Sequence, residues 1–305
     1  MTEADLSVDL AGIALKNPLV LASGTAGYGL EMASLIDVSR LGAIILKSVT
    51  EEPCSGNAEP RIWETTGGLL NSIGLENIGM DALAQEVLPR LSDLGVPLFA
   101  SIAGETVRAF ARLAARLESA GGLSAIEVNI SCPNVEKGGI QFGSDAGATT
   151  AVVMAVHENT GLPLFAKLSA AHAEIARIAE AAAQAGAAGL SLINTIPGMA
   201  IDPATRRPRL GAISGGLSGP AIKPIALKAV WDCYSATGLP IIGGGGIFDE
   251  YDVVEFMLAG ATAVSVGTST FQDPDRPLEI LEGLPVALER AGASSPRELV
   301  GAMKI

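Results

Sequence analysis

The feature that most constrains the fold is a short apolar run followed by a helical stretch, a unit that recurs along the whole chain of 305 residues. The runs are continuous rather than alternating, as expected for strands that are buried on both faces of a parallel sheet. Strand–helix units repeated in this way over this length predict a closed (β/α)8 barrel, the TIM barrel, as a single domain over residues 1–305. The predicted strands cover residues 18–23, 43–48, 97–102, 125–131, 163–168, 189–194, 240–244 and 262–267.

An open, doubly wound sheet is the main alternative fold. Such a sheet usually carries a glycine-rich turn after its first strand, whereas the glycine cluster of this chain follows the seventh. Residues 6–15, with Gly12 at the turn, predict an N-terminal hairpin ahead of the barrel. Three connections are long; they follow the second, fourth and sixth strands at residues 49–77, 132–145 and 195–220. Connections of this length are usually functional.

Charge and composition exclude several classes of function. The net charge of −13 makes nucleic acid an unexpected partner. The mean hydropathy of +0.40 comes from alanine-rich helices, and no unbroken apolar run is long enough to predict a membrane span. The N-terminus lacks the pattern of an export signal, and three cysteines make neither a disulfide framework nor a zinc site, which together predict a cytoplasmic protein without a metal.

Polar residues at the ends of the predicted strands indicate where a site would lie, because barrel enzymes bind substrates at the carboxyl ends of their strands. Lys47 and Lys167 end two strands that are otherwise nearly apolar, where an unpaired ammonium group is costly. We expect both to face an anionic or electron-rich ligand across the barrel mouth. The other polar strand ends are Ser23, Ser101, Asn129 and Asn194.

Glycines after the last two strands predict a phosphate site. The run at residues 243–247 and the ValGlyThr at residues 266–268 leave backbone N–H groups free to approach phosphate oxygens. Neither a P-loop nor a GxGxxG after the first strand is present, which argues against ATP or a Rossmann-bound dinucleotide.

Cys132 is the candidate for acid–base chemistry, because it follows the fourth strand in a proline-stiffened turn at the barrel mouth. A nearby cation such as Lys47 would favour its thiolate. The amides of Asn71, Asn129, Asn134 and Asn194 suit a flat, uncharged substrate that itself contains amides.

Several longer segments match one known family in the right order, and they cover nearly the whole chain. They lie at residues 10–18, 21–25, 71–77, 128–135, 137–143, 192–195, 215–224 and 266–268. Together they resemble the class 1 dihydroorotate dehydrogenases, most closely the catalytic subunits of the 1B type. The resemblance implies that the phosphate-bearing ligand is FMN and that the reaction oxidises dihydroorotate to orotate in the synthesis of UMP.

The resemblance also implies roles for individual residues. Cys132 would be the base that takes the proton from C5 of dihydroorotate, while a hydride passes from C6 to FMN. The residues implied for the substrate are Lys47, Asn71, Ser72, Ile73, Gly74, Leu75, Asn129, Asn194 and Thr195. Those implied for FMN are Ser23, Lys47, Ser48, Ser101, Asn129, Lys167, Ile193, Gly219, Gly245, Gly246, Gly267 and Thr268.

The 1B type implies a partner. Two copies of this chain would join electron-transfer subunits, which carry FAD and a [2Fe–2S] cluster and pass electrons to NAD, in a heterotetramer. The chain departs from the family pattern at three positions: family members commonly have asparagine at Ser101, proline at Ala170 and methionine at Gly244.

Three alternative functions stay open at this point. The chain could be a class 1A homodimer that reduces fumarate, or a lyase that forms a Schiff base through Lys167 with a phosphorylated substrate. A flavin-storing subunit without turnover is the third.

Overall fold

The barrel predicted from the sequence is present in the computed structural model, which describes residues 5–131, 142–171 and 174–304. Its eight parallel strands close in the order β10–β15–β16–β3–β4–β7–β8–β9, and each coincides with one of the predicted strands. In chain order the strands are β1 (Val8–Leu10), β2 (Ile13–Leu15), β3 (Leu19–Leu21), β4 (Ala43–Ile45), β5 (Ile62–Thr65), β6 (Gly68–Asn71), β7 (Leu98–Ile102), β8 (Ala125–Asn129), β9 (Leu164–Leu168), β10 (Gly189–Leu192), β11 (Ile196–Gly198), β12 (Ile201–Asp202), β13 (Arg207–Pro208), β14 (Gly215–Ser218), β15 (Ile241–Gly244) and β16 (Ala263–Val266).

The helices lie between the barrel strands and cover the outside of the barrel. The α4 helix shows why they do so: its Phe110, Leu113 and Leu117 are buried in the core cluster, at the spacing of one helical face. The helices are α1 (Leu30–Ala33), α2 (Gly79–Ala82), α3 (Leu88–Leu91), α4 (Val107–Ala120), α5 (Ala146–His157), α6 (Ile175–Gln184), α7 (Lys223–Thr237), α8 (Glu250–Leu258), α9 (Ser269–Gln272) and α10 (Arg276–Arg290).

Aromatic side chains fill the lower part of the barrel interior. The rings of Phe99 on β7 and Phe165 on β9 stack with their centroids 5.6 Å apart, and neither ring is exposed. Gly189 makes room for this layer, since a Cβ atom there would lie 2.4 Å from a ring carbon of Phe165. The barrel is therefore packed below and has space for a ligand only above this layer.

The predicted N-terminal hairpin is also confirmed. Strands β1 and β2 pair antiparallel, and Ala11 and Gly12 between them have φ angles of 55° and 84°. Two positive φ values in a two-residue connection are typical of a type I′ turn, which matches the twist of a hairpin.

The connections after the second and sixth barrel strands are not the plain loops that the sequence predicted. They supply β5 and β6 from one connection and β11 and β14 from the other, and these pair as one antiparallel sheet in the order β11–β14–β6–β5, here called the cap sheet. Its strands are short and only partly buried, so they lack the continuous apolar run by which the barrel strands were found.

The connection after the fourth barrel strand lies mostly outside the described residues, which resume with a short 3-10 turn at Phe142–Ser144. Asp145 then begins α5, its carboxylate accepting a hydrogen bond of 2.8 Å from the Ala148 N–H. Across the described ranges, no helix is both long and apolar enough to cross a membrane.

Candidate active site

A cavity of ≈ 600 Å³ opens at the carboxyl ends of the barrel strands, where residues of the cap sheet complete its wall. Most of the residues that the sequence predicted for the site line it: Ser23, Lys47, Ser48, Asn71, Ser72, Ile73, Gly74, Leu75, Asn129, Lys167, Ile193, Asn194, Thr195, Gly219, Gly245, Gly246, Gly267 and Thr268. Ser101 does not line the cavity. Cys132, the predicted base, and Asn134 lie outside the described residues.

The floor of the cavity is a polar network around Glu127 of β8, a residue that is fully buried. Its Oε1 atom accepts hydrogen bonds from the hydroxyls of Ser23 (3.0 Å) and Ser101 (2.9 Å) and from the Lys167 ammonium (3.2 Å). Its Oε2 atom accepts a hydrogen bond of 2.7 Å from Ser191. We call these five residues the floor network.

Strand register explains how the floor network assembles. Ser101 on β7 pairs with Glu127 on β8, and Lys167 on β9 pairs with both Asn129 on β8 and Ser191 on β10. Because alternate residues of a strand face the same side, Glu127 and Asn129 share the interior face and form successive levels of it. The register thus stacks a polar level directly above the Phe99–Phe165 level.

Burial and pairing act in opposite directions on the Glu127 carboxyl. Burial raises its pKa, but the Lys167 charge and the hydroxyls of Ser191 and Ser101 outweigh burial, so the net pKa lies below its ordinary value. Glu127 is therefore an ionised carboxylate at neutral pH and forms a buried ion pair with Lys167.

Ser101 lies one level behind the cavity wall. Its hydroxyl bridges Glu127 and the Ser48 hydroxyl, at 2.9 Å and 2.7 Å. The side chain at this position thus stabilises the floor network rather than contacting the cavity directly.

The two lysines meet in one cavity, as expected from their strands, but their surroundings differ. Lys167 donates to Ser23 at 2.8 Å and pairs with Glu127. Lys47 makes no side-chain hydrogen bond or ion pair with any of the described residues, although it lines the same cavity. Lys47 is thus the cation that is available to an anionic group of a ligand.

Hydrogen bonds fix the amides of the wall in place. Asn129 donates to the Ser48 hydroxyl at 3.1 Å and accepts from Ser131 at 3.0 Å, and Asn194 donates to the same Ser131 hydroxyl at 2.9 Å. Asn71, on the cap sheet, donates to the Gly216 carbonyl at 3.2 Å. These bonds set the direction of each amide before any ligand binds.

The segment of residues 71–75 follows β6 and forms part of the wall. Its turn places Gly74 and Leu75 at φ angles of 74° and 56°. Asn57 donates to the Ser72 hydroxyl at 2.8 Å, and the Cys54 thiol donates to the Gly74 carbonyl at 3.4 Å. Residues that precede β5 thus hold this segment in place.

The opposite wall, formed by the ends of β15 and β16, offers backbone instead of side chains. Gly245 and Gly246 have φ angles of 121° and 95°, and a Cβ on Gly246 would lie 2.9 Å from both the Gly219 carbonyl oxygen and Lys223 Cβ. Among the described residues, the N–H groups of Gly245, Gly246, Gly267 and Thr268 have no hydrogen-bond acceptor. We call these four residues the glycine cradle, which has the donors and the space that a phosphate group requires.

Sequence reasoning missed Glu127 and Ser191. The signal for Glu127 was present, since it is a carboxylate in the middle of an otherwise apolar strand, two residues before Asn129. Ser191 could not be found in this way, because a serine in a strand is common and becomes significant only beside Glu127. The described residues hold no cluster of His, Cys, Asp or Glu side chains placed to bind a metal ion.

Comparison with known proteins gives a consistent result. The family model for dihydroorotate dehydrogenase matches residues 5–288. The chain is 51% identical to a protein of Desulforudis audaxviator, over 97% of this chain and 96% of that protein. It is 50% identical to a protein of Geotalea uraniireducens, over 99% of each. Both relatives are named dihydroorotate dehydrogenase B (NAD(+)), catalytic subunit.

A solved structure shares the fold. It is that of DHODH from Eimeria tenella in complex with ferulenol, with a TM-score of 0.83, 22% sequence identity, and coverage of 99% of this chain and 89% of that one.

Proposed function

The chain belongs to the dihydroorotate dehydrogenase family, which oxidises dihydroorotate to orotate, and we propose that it does so with FMN in the cavity described above. It would act as a single FMN-binding barrel domain over residues 1–305, in the pathway that makes UMP. The observation that carries the proposal is the cavity itself, which joins a lysine that no described residue pairs with, fixed amides and a phosphate cradle.

The residues present fit FMN. The glycine cradle would hold the ribityl phosphate, since its four N–H groups have no acceptor among the described residues. Ser23, Ser48, Asn129, Lys167 and Ile193 line the same cavity, and they would contact the ring system. When bound there, FMN would supply an acceptor for the hydride from C6 of dihydroorotate.

The remaining work falls to side chains of this chain. Lys47 would pair with the substrate carboxylate, and Asn71, Asn129, Asn194 and Thr195 would hold the amides of the ring. The Ser72–Leu75 segment would help to hold the ring of the substrate. Cys132 would take the proton from C5 as a thiolate.

The other two cysteines are poorer candidates for the base. Burial raises the pKa of Cys233 to about 12, so that its thiol stays protonated at neutral pH. The Cys54 thiol donates a hydrogen bond to the Gly74 carbonyl of the wall segment.

The floor network argues against the Schiff-base lyase. Such a lysine must reach the neutral amine state to attack a carbonyl, whereas Lys167 forms an ion pair with the buried carboxylate of Glu127. Membership of an enzyme family excludes a flavin store without turnover.

The naming of the relatives as catalytic subunits of NAD(+)-dependent enzymes favours the 1B assembly over a class 1A homodimer that uses fumarate. We therefore propose a homodimer of this chain that joins subunits carrying FAD and a [2Fe–2S] cluster, giving a heterotetramer. We also propose a cytoplasmic location, since Cys54 and Cys233 are both free thiols.

The visible absorption spectrum of the purified chain, recorded before and after anaerobic dihydroorotate, tests this function. We expect a flavin spectrum that bleaches with dihydroorotate. A yellow protein that does not respond would overturn the substrate, and a colourless protein that cannot be reconstituted with FMN would overturn the cofactor.

A further inference from the structure

Glu127 takes no part in the mechanism above, yet it is the best-connected carboxylate beside the cavity. It is fully buried and accepts hydrogen bonds from three serines and one lysine. Burying a carboxylate is costly unless every oxygen is paired. A residue held at such cost directly below a ligand cavity calls for a role in that cavity.

The geometry shows what Glu127 fixes. Lys167 Nζ donates to the Ser23 hydroxyl at 2.8 Å and to Glu127 Oε1 at 3.2 Å, while Ser23 itself donates to the same oxygen at 3.0 Å. These three groups form a closed triangle. An ammonium group has three N–H donors, and the third has no partner among the described residues, which leaves it for a ligand in the cavity.

Ser191 and Ser101 hold the carboxylate from two other strands. Ser191 binds the Oε2 atom, and Ser101 binds the Oε1 atom, so Glu127 cannot rotate without breaking bonds to both. Lys167 is therefore attached to a rigid anchor.

Lys47 provides a comparison inside the same cavity. It has the same functional group and lines the same space, but no carboxylate or hydroxyl of the described residues binds it. Lys47 therefore serves as an internal reference for Lys167.

We propose that Glu127 is a positioning residue that fixes the Lys167 ammonium below the cavity and keeps it charged, so that Lys167 presents a constant positive charge to the ring of bound FMN. For the identity of the ligand the inference rests on the proposed function. The state of Lys167 can be tested without that ligand.

The charges around Lys167 give the direction of the effect. Glu127 faces it from β8, whereas its neighbours Ser191 on β10 and Ser23, which follows β3, are neutral. The other charged residues of the described cavity wall are Lys47 and Glu76, and Glu76 already pairs with Arg61 at 3.0 Å. Without the Glu127 charge, a lysine side chain that is only 15% exposed would have no anionic partner among the described residues, and burial of an unpaired charge is costly.

The test compares wild type with Glu127→Gln, which keeps the size of the side chain and removes its charge. Acetic anhydride labels neutral amines, so acetylation of the purified full chain over a series of pH values, read by peptide mass spectrometry, gives a titration midpoint for each lysine. We expect the Lys167 midpoint to fall in the variant enough to raise its labelling at neutral pH by about tenfold or more, since one pKa unit is tenfold. The midpoint of Lys47 should stay unchanged.

Ser191→Ala is the matched control, because it removes one bond to Glu127 and keeps the charge. Its Lys167 midpoint should match wild type. An unchanged midpoint in a folded Glu127→Gln chain would overturn the proposal. If that variant does not fold, wild type decides: a Lys167 midpoint below that of Lys47 overturns the proposal, and one above it supports it.

FMN titration of the same proteins separates this inference from the proposed function. Wild type that binds FMN and Glu127→Gln that binds it roughly tenfold more weakly would support both. Wild type without affinity for FMN would overturn the cofactor, while the acetylation midpoints would still decide the role of Glu127.

Discussion

The two walls of the cavity achieve binding in different ways. The wall formed by β8 and β9 uses charged and amide side chains, fixed by the floor network. The wall formed by the ends of β15 and β16 uses bare backbone, where glycine has no room for a Cβ and the N–H groups meet no acceptor among the described residues. Substitutions that change the chemistry of a side chain but keep its shape should therefore weaken ligand binding at the first wall. At the second wall, any added side-chain atom should weaken it.

The largest effect is expected at Cys132, which follows β8 in the sequence. Cys132→Ser should slow the reduction of bound FMN by dihydroorotate by about 10²–10⁴-fold at neutral pH, because a hydroxyl is a much poorer base than a thiol. The defect should ease as the pH rises. Anaerobic stopped-flow absorbance measures the rate, and FMN affinity should match wild type.

Cys54→Ser is the control for that experiment, since it changes a thiol beside the same cavity that is not the proposed base. Wild-type rates in Cys132→Ser at neutral pH would contradict the assignment of the base. Loss of FMN affinity in Cys132→Ser would instead contradict the distinction between the two walls.

The second prediction concerns the backbone wall. Gly246→Ala should weaken FMN binding roughly 100-fold, because the new Cβ would lie 2.9 Å from two fixed atoms at a φ of +95° and displace N–H donors from the phosphate. Fluorescence titration of apoprotein with FMN measures this. The rate of reduction per bound FMN should change little.

Gly12→Ala is the control that separates the effect of backbone strain from that of a steric clash. Gly12 also has a positive φ, of 84°, but a Cβ there would meet nothing within 4 Å. It should cost about 1–2 kcal/mol of stability and leave FMN affinity unchanged. Equal losses of affinity in both variants would show that the cradle is sensitive to stability rather than to shape.

The same contrast explains what the sequence could predict. The barrel strands were predictable, since strands such as β4 (Ala43–Ile45) are buried on both faces and are therefore apolar throughout. The glycine cradle was predictable because glycine at residues 245 and 246 is itself the signal. The cap sheet was not, because β6 and β14 are short, half-buried and rich in glycine, so that pairing across 145 residues decides their structure.

The floor network could be predicted from the sequence only in part. Lys167 stood out as a charge in an apolar strand, but its expected partner was a ligand, and the structure supplies Glu127. Strand register decides that pairing, and register cannot be deduced from one strand alone. Ser101 shows the same limit: its position at a strand end predicts a cavity contact, whereas the structure directs its hydroxyl to Glu127 and Ser48.

The smallest effect is expected at the clamp behind the glycine cradle. Lys223, the first residue of α7, donates to Asp252 at 2.6 Å and to Glu255 at 2.7 Å, and Asp252 also accepts the Phe248 N–H at 2.7 Å. The clamp thus joins α7 and α8 to the connection that follows β15. Burial opposes the charge of Lys223, but the hydrogen bonds to Asp252 and Glu255 outweigh it and raise its pKa to about 12.

Because the pKa of Lys223 is higher in the folded chain than its ordinary value of 10.5, the clamp stabilises the fold fully below about pH 10 and loses its effect as the pH rises through 12. Lys223→Met should lower the free energy of unfolding by about 1 kcal/mol at neutral pH, a modest value since the side chain is 28% exposed. Urea unfolding of both proteins should show this difference shrinking toward pH 12.

Lys228→Met is the control. It breaks an exposed pair with Asp232 on the same helix and should lower the free energy of unfolding by only about 0.3–0.5 kcal/mol. A Lys223→Met difference that stays constant with pH would mean that packing of the aliphatic stem, rather than its charge, holds the backbone wall in place.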